Sequence, residues 1–157
     1  MDMMMKMKMK KVGSVFTSAD IELIVHATES LDKVIDALSS TLGIRSSTLT
    51  REMLTGHHGN GIILLKGSVV GDDARNLAER LMGSLSSEDL LRIYKDFDLY
   101  TDNRSSFYVR ISKQEMVKGR IRLSQSDAVR IRLKIARQMH KASLEEFRSA
   151  LVGSDEV

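Results

Sequence analysis

Apolar and polar residues alternate along three segments in the last third of the chain. These segments are FYVRIS (residues 107–112), VKGRIRL (residues 117–123) and AVRIRLKIARQ (residues 128–138). Successive side chains of a β-strand point to opposite faces of its sheet. The alternation therefore predicts three strands, each with one apolar face and one polar face.

The polar face of these predicted strands is rich in cations. In the first strand Phe107, Val109 and Ile111 would point inward, and Tyr108 and Arg110 outward. The outward residues of the other two strands are Lys118, Arg120, Arg122, Arg130, Arg132 and Lys134. Like charges on neighbouring strands destabilise a sheet, so a face of this kind indicates a polyanionic partner, and RNA is the polyanion we favour. Tyr108 on the same face is a candidate for stacking on an unpaired base.

The first half of the chain predicts strands and a helix in succession. Residues 21–27 predict a strand, and apolar residues at helical spacing from Leu31 to Leu42 predict a helix with Thr28 as N-cap and Gly43 as its end. Residues 47–53 and 61–69 predict two strands joined by the loop TGHHGNG. The unbroken apolar run at 62–65 predicts a central strand that is covered on both faces.

Capping signals predict the remaining helices. One helix begins at Asp72 or Asp73 and ends near Gly83, and Ser86-x-x-Asp89 resembles a capping box for the next helix. A short helical turn at 113–117, a polar loop at 124–127 and a final helix complete the chain. Ser143-x-x-Glu146 is the predicted capping box of that final helix, and its buried residues are predicted to be Leu144, Phe147 and Leu151.

The resulting element order, βαββααβββα, predicts an α+β fold with an antiparallel or mixed sheet and helices packed on one face. We expect a single α+β RNA-binding-like domain over residues 12–152. Residues 1–11, which are rich in Met and Lys, are predicted to be a disordered tail, and residues 153–157 a C-terminal tail.

The charge distribution supports an anionic partner. The net charge is +3, but between Arg104 and Lys141 eleven Lys or Arg residues face two acids, Glu115 and Asp127, which leaves about +9 there. The other residues carry thirteen bases and nineteen acids, or about −6. The chain has no Cys and no apolar run of membrane-spanning length, which favours a cytoplasmic protein.

The chain offers weak candidates for catalysis or metal binding. His57 and His58, with Asn60, lie in the predicted hairpin loop, where they are possible secondary contacts to phosphate. His26 is interpreted as a strand-end residue, and Glu29 as a favourable charge in the first turn of a helix. The sequence shows no set of nucleophile, base and orienting group. We therefore predict no enzyme, no metal and no cofactor.

Several segments together resemble a known family. VHATES followed by DKVIDAL, then GHHGN, FYVRISKQ with Gly119, and DAVRIRLKI are similar to an archaeal family of predicted RNA-binding proteins. That family is described as exosome-associated, and its α+β fold is likened to ribosomal-protein and double-stranded-RNA-binding modules. The motif positions that match are His26, Thr28, Glu29, Gly56, His57, Gly59, Asn60, Arg110, Lys113, Gln114, Gly119, Arg130, Arg132 and Lys134. The resemblance implies RNA binding, with a link to RNA processing, the exosome or the ribosome.

The predicted function is therefore non-catalytic RNA binding, with phosphates contacted by the outward Arg and Lys residues and further contacts from Lys113 and Gln114. An alternative is a protein-interaction adaptor whose basic face docks on an acidic partner. A third hypothesis, a nuclease, would need carboxylates for Mg²⁺ beside the basic face. Only Glu115 and Asp127 are near it in the sequence.

Overall fold

The computed structural model describes residues 15–56, 59–102, 105–135 and 140–152. The strands are β1 (Phe16–His26), β2 (Leu49–Thr55), β3 (Gly61–Val70), β4 (Ser106–Ser112) and β5 (Ala128–Ile135). The helices are α1 (Leu31–Leu42), α2 (Gly71–Ser84), α3 (Ser87–Lys95), α4 (Lys113–Val117) and α5 (His140–Ala150). Short 3₁₀ turns occupy Ser46–Thr48 and Phe97–Leu99. The predicted α+β class is confirmed.

The strands form one antiparallel sheet in the order β2-β3-β1-β5-β4. Strand β1 therefore lies between β3 and β5, the first and the last of the described strands being neighbours. Ile21 is the partner of Gly67 on one side and of Ile131 on the other. This order brings acidic residues from the start of the chain beside basic residues near its end.

Helices cover one face of the sheet. Alternate residues of β1, β4 and β5 are buried on that face, and helix α2 packs against β1. Phe147 of α5 completes the core, with its ring centroid 5.1 Å from that of Phe16 and 4.9 Å from that of Phe107. The predicted burial of Leu144, Phe147 and Leu151 is confirmed. Because the core is on this side, the residues that the structure describes leave the opposite face of the sheet open.

One of the three predicted basic strands does not form. Residues 113–117 are helix α4, as predicted, but the chain then turns at Gly119, whose φ is +85°. Only an isolated bridge between Leu123 and Ile111 joins the following segment to the sheet. Lys118, Arg120 and Arg122 therefore lie in a loop and not on a strand, so the prediction of a strand at 117–123 is wrong.

Helix ends agree with the sequence in part. Gly43 ends α1 with φ +72°, as predicted, but the N-cap of α1 is Ser30 and not Thr28. Ser86 caps α3, since its Oγ accepts from the amide of Asp89 at 3.1 Å. Helix α5 begins at His140, which makes the prediction that it starts at the Ser143 capping box wrong.

Two further expectations have different outcomes. The prediction that residues 62–65 are covered on both faces is wrong, because Leu65 is buried whereas Ile62, Ile63 and Leu64 are half-buried. The predicted tails, residues 1–11 and 153–157, lie outside the described residues. Among the helices that the structure describes, none has the length and apolar character needed to cross a membrane.

Candidate nucleic-acid interface

The open face of the sheet carries its charged residues in rows that run across the strands. One row contains Lys66 of β3, Glu22 of β1, Arg130 of β5 and Arg110 of β4, because these residues are successive cross-strand partners. The next row contains Ser68, Asp20, Arg132 and Tyr108 in the same strand order. Neighbouring strands are about 4.8 Å apart. The cations of β4 and β5 thus form a compact group beside the carboxylates of β1.

The carboxylates of β1 balance part of this positive charge. Glu22 Oε1 lies 3.8 Å from Nη1 of Arg130, and Asp20 Oδ2 lies 4.0 Å from Nη1 of Arg132. All four side chains are partly exposed, so these pairs contribute little to stability. The sequence pattern did not predict these two acids on the basic face. They make the face a mixed one, with its positive charge concentrated toward β4.

Arg110 has no compensating acid among the described residues. Its side chain is exposed and has no ion pair or hydrogen bond within the described ranges. Its cross-strand partner is Arg130, so two arginine side chains leave adjacent positions on the same face and line the same cavities. Lys134 on the same face also lacks a side-chain partner among the residues that the structure describes. Direct juxtaposition of like charges is unfavourable, and an anion bound between them would relieve it.

Tyr108 lies beside these cations as expected. Its side chain is 42% exposed, and Cζ of Arg132 lies 5.9 Å from its ring centroid. Arg132 is held in place by a hydrogen bond of 3.2 Å from its Nε to Oγ of Ser106. The face therefore offers an aromatic ring and an oriented guanidinium group next to each other.

Two cavities adjoin on this face. The larger is an open groove of about 680 Å³ whose walls include Asp20, Glu22, Lys66, Leu99, Tyr100, Tyr108, Arg110, Arg130 and Arg132. The smaller, of about 190 Å³, lies toward His26 and Asp127. Arg110 and Arg130 line both cavities, together with Glu22 and Gln125. These two arginines thus stand at the junction of a continuous depression.

The basic residues of the loop after α4 are organised around one acid. Glu115 Oε2 lies 3.5 Å from Nη2 of Arg120, and its Oε1 lies 3.5 Å from Nη1 of Arg122. Lys118 is exposed and has no side-chain partner in the described part of the chain. This loop runs beside β4, because the amide of Ser112 donates to the carbonyl of Arg122. The cations of this loop therefore lie at the β4 edge of the sheet, beside the two rows of the open face but outside them.

Lys113 occupies a different place from the other predicted contact residues. Its side chain is only 1% exposed, and its Nζ donates to the carbonyl of Ile24 at 2.6 Å and to Glu29 Oε1 at 2.7 Å. Asp127 Oδ1 lies 2.9 Å from the same ammonium. The cation therefore joins β1, the segment before α1 and the residue that precedes β5. Its three oxygen partners satisfy all of its donors.

Gln114 extends this buried network to its rim. Its Nε2 donates to Glu29 Oε2 at 3.1 Å and to Asp127 Oδ2 at 3.0 Å. Lys113 and Gln114, the Lys-Gln pair of the family resemblance, therefore hold two acids from distant parts of the chain. Sequence reasoning found these residues but not this role, because the partners are far apart in sequence.

The network changes the acidity of both carboxyl groups. Burial acts to raise the pKa of Glu29, but hydrogen bonds from Lys113 and from the amide of His26 outweigh it and hold that pKa below its ordinary value of 4.5. Burial also acts to raise the pKa of Asp127, and hydrogen bonds from Gln114 and Lys113 hold it below 3.8. Both groups are therefore carboxylates at neutral pH.

Metal-binding side chains also meet at this point. His26, Glu29 and Asp127 bring potential ligand atoms within 4.8 Å of one another. The ammonium of Lys113 already contacts both carboxylates, however, and it supplies the positive charge that a metal would bring. We interpret the cluster as an internal ion-pair network.

The hairpin loop between β2 and β3 is described at its ends only. The amide of Gly56 donates to the carbonyl of Asn60 at 2.5 Å, and Gly59 has φ +80°. Asn60 thus closes a tight loop, as expected for a Gly-rich turn. The predicted secondary contacts His57 and His58 lie outside the described residues.

Comparison with known proteins places the chain in a family. A family model described as RNA binding matches residues 18–136, which include both rows of the open face and the Lys113 network. The chain belongs to this RNA-binding family. It is 28% identical over 143 residues to an RNA-binding protein of Pyrococcus abyssi, covering 86% of this chain and 93% of that protein. An uncharacterized protein of Methanocaldococcus jannaschii is 27% identical over 118 residues, with coverage of 71% and 78%.

Solved structures resemble this member of the RNA-binding family in fold. A DUF54 protein from Methanothermobacter thermautotrophicus matches with a TM-score of 0.67 at 24% identity, covering 87% of this chain and 98% of that one. A protein of the same family from Archaeoglobus fulgidus matches with a TM-score of 0.68 at 21% identity, with coverage of 84% and 96%. The archaeal relatives agree with the archaeal family that the sequence resembles.

Proposed function

We propose that this protein binds RNA without catalysis, through the open face of its sheet. Arg110, Arg130, Arg132 and Lys134 would contact phosphates, and Tyr108 would contact a base or ribose. Membership in the RNA-binding family supports this proposal, and so does the RNA-binding name of the P. abyssi relative. The family resemblance extends it to a role in RNA processing, linked to the exosome or the ribosome.

The observation that carries the proposal is the pairing of Arg110 with Arg130 across β4 and β5. Arg110 has no carboxylate partner among the described residues, and Arg130 has one only at 3.8 Å. A phosphate between the two guanidinium groups would convert a repulsion into charge-assisted hydrogen bonds. Lys118, Arg120 and Arg122 border this site and would add longer-range attraction to the backbone.

The buried network changes the set of proposed contacts. For Lys113 to contact RNA, its ammonium would have to leave three protein oxygens and an almost fully buried position. The amide of Gln114 is likewise engaged by two carboxylates. We therefore assign Lys113 and Gln114 to the support of the site and not to RNA contact.

A salt titration of RNA binding tests the proposal. If Arg110, Arg130, Arg132 and Lys134 together neutralise about four phosphate charges of single-stranded RNA, log affinity should fall against log salt with a slope near −2.8 (about −0.7 for each charge). Arg110→Ala should weaken binding several-fold for every RNA sequence and reduce the slope by about 0.7. Arg45→Ala is the matched control, because Arg45 is exposed and pairs with Asp73 of α2, in the helical layer.

The alternative of a protein-interaction adaptor gives a different result. If the basic face docks on an acidic protein, Arg110→Ala and Arg45→Ala should bind RNA equally, and generic RNA should fail to displace that protein. A result of this kind would remove RNA as the ligand. We expect labelled RNA to remain intact after incubation with the protein and Mg²⁺. Cleavage of the RNA would instead support the nuclease hypothesis.

A further inference from the structure

We infer that the groove holds one unpaired nucleotide, and that Asp20 and Glu22 favour bases whose edges present amino donors. This inference rests on the proposed function and adds a specificity to it. It concerns the β1 side of the groove, which the phosphate-binding cations do not occupy. The ligand class is thus single-stranded RNA with a preference for cytosine, adenine or guanine over uracil.

The two adjoining cavities provide the first argument. The groove of about 680 Å³ falls within the range of about 300–1,000 Å³ typical of sites for small organic ligands, which includes the size class of a nucleotide. A second cavity of about 190 Å³ continues from it, and Arg110 and Arg130 line both. The two cavities thus lie on either side of the two arginines, just as two successive nucleotides lie on either side of the phosphate that joins them. A phosphate at the two arginines would thus place one nucleotide in the groove and direct the chain toward His26.

The walls of the groove suit a base that has left its stack. Tyr108, which is half-exposed, and Leu99, with 82% of its surface exposed, both line the groove. The amide of Tyr108 donates to the carbonyl of Tyr100 at 2.7 Å, which fixes this wall against β4. Aromatic and apolar surfaces of this kind stack on unpaired bases and cannot reach the bases inside a duplex.

The carboxylates of β1 provide the argument for base preference. Their distances to Arg130 and Arg132, 3.8 and 4.0 Å, are longer than hydrogen bonds. Ser68 donates to one oxygen of Asp20 at 2.6 Å and so orients that carboxylate. Lone pairs of Asp20 and Glu22 therefore remain available on the groove side. They repel phosphate but accept hydrogen bonds from amino groups.

The edges of the bases differ in what they offer to such acceptors. Cytosine presents an N4 amino donor, which Glu and Asp accept in known complexes, and adenine presents N6. At the corresponding position uracil presents a carbonyl oxygen, which a carboxylate repels. Oligo(C) and oligo(U) of equal length are thus a matched pair. The two bases differ only in the amino group of cytosine, which is a carbonyl oxygen in uracil, and in the adjacent ring nitrogen, which carries a hydrogen only in uracil.

Fluorescence anisotropy with labelled oligo(C) and oligo(U) tests the inference. The wild-type protein should bind oligo(C) about tenfold more tightly than oligo(U). In the double variant Asp20→Asn with Glu22→Gln, this ratio should approach one, mainly because binding of oligo(U) improves. If the acids only balance the charge of the sheet, the variant will strengthen both ligands equally and the ratio will not change, which overturns the inference. Circular dichroism melts should show that the variant is folded.

Two further arms separate the possible failures. Oligo(C) annealed to its complement has its amino groups paired, so it should bind less tightly than the single strand; equal or tighter binding would contradict the unpaired nucleotide. If Arg110→Ala weakens both oligonucleotides but wild type does not distinguish them, only the base preference fails. If Arg110→Ala changes neither, the proposed RNA-binding face itself is refuted.

Discussion

Substitution of Lys113 by Met should destabilise the protein more than any other removal of a single positive charge described above. The Met side chain retains most of the aliphatic stem of Lys, so the packing of this nearly inaccessible side chain is largely kept. The ammonium is lost, and with it the contacts to Glu29, Asp127 and the carbonyl of Ile24. Two carboxylates would then lie close together, still bridged by the amide of Gln114 but without the ammonium group.

The magnitude follows from the burial of the network. Removal of one partner from a buried ion pair costs about 3–5 kcal/mol. The side chains of Glu29 and Asp127 are 18% and 39% exposed, so water can partly solvate them once the cation is gone. We therefore expect the lower end, about 3 kcal/mol. For a chain of this size that loss corresponds to a decrease in Tm of about 6–12 °C.

Urea unfolding at neutral pH measures this loss, with Lys118→Met as the matched control. Lys118 lies five residues away, is exposed and has no side-chain partner within the described residues, so its substitution should change the free energy of unfolding by less than about 0.5 kcal/mol. Equal stabilities of the two variants would refute the structural role of Lys113. Adding Glu29→Gln and Asp127→Asn to Lys113→Met should recover part of the loss, because no uncompensated charge then remains.

The same variants address RNA binding. Under conditions where Lys113→Met is fully folded, it should bind oligo(C) as tightly as the wild type does. A loss as large as that of Arg110→Ala would instead show that Lys113 contacts RNA directly.

Acid should weaken the same network, because the pKa values of Glu29 and Asp127 are lowered in the folded state. The contribution of these two carboxylates to stability is therefore fully present above their ordinary pKa values of 4.5 and 3.8. It is lost as the pH falls through their folded-state pKa values. Urea titrations from about pH 6 to about pH 2 should show this decline, and it should be smaller in Lys113→Met. Gly43→Ala should lower the free energy of unfolding by about 1–3 kcal/mol, because φ is +72° and the added Cβ would lie 2.8 Å from Nδ2 of Asn76. In α2, the Cβ added by Gly83→Ala meets no atom within 4 Å, so this substitution should raise the free energy of unfolding by up to about 1 kcal/mol, as thermal melts can show. Ser30→Ala should lower the free energy of unfolding by about 1 kcal/mol, because the N-cap of α1 is lost. An unchanged Tm would argue against the N-cap role of Ser30.

The alternation of apolar and polar residues correctly predicted the basic strands β4 and β5, in which no helix or turn interrupts the pattern. Along β4 and β5 the apolar residues are buried and the cations point to the open face, since a period of two fixes the face of each side chain. The prediction failed at 117–123 for a local reason. Ser112 caps helix α4 by accepting from the amide of Glu115 at 3.1 Å, and Gly119 adopts a left-handed turn, so the alternating residues after it no longer lie along a strand.

Non-local relations could not be obtained from the sequence alone. The alternation in DIELIV places Asp20 and Glu22 on the polar face of β1, but nothing local shows that β1 lies beside β5. The partners of Lys113 are equally distant, since Ile24 and Glu29 precede it by more than eighty residues. A family resemblance singled out Glu29, Lys113 and Gln114, and only the fold shows why these residues belong together.

The position of the first strand has a consequence for synthesis of the protein. During translation β1 emerges long before β5, and the two can pair only when Ile131 and its neighbours have left the ribosome. Contacts of such large sequence separation form slowly. A nascent chain therefore carries Asp20 and Glu22 long before the arginines that will lie beside them, and it has no assembled cationic surface until β5 has been made.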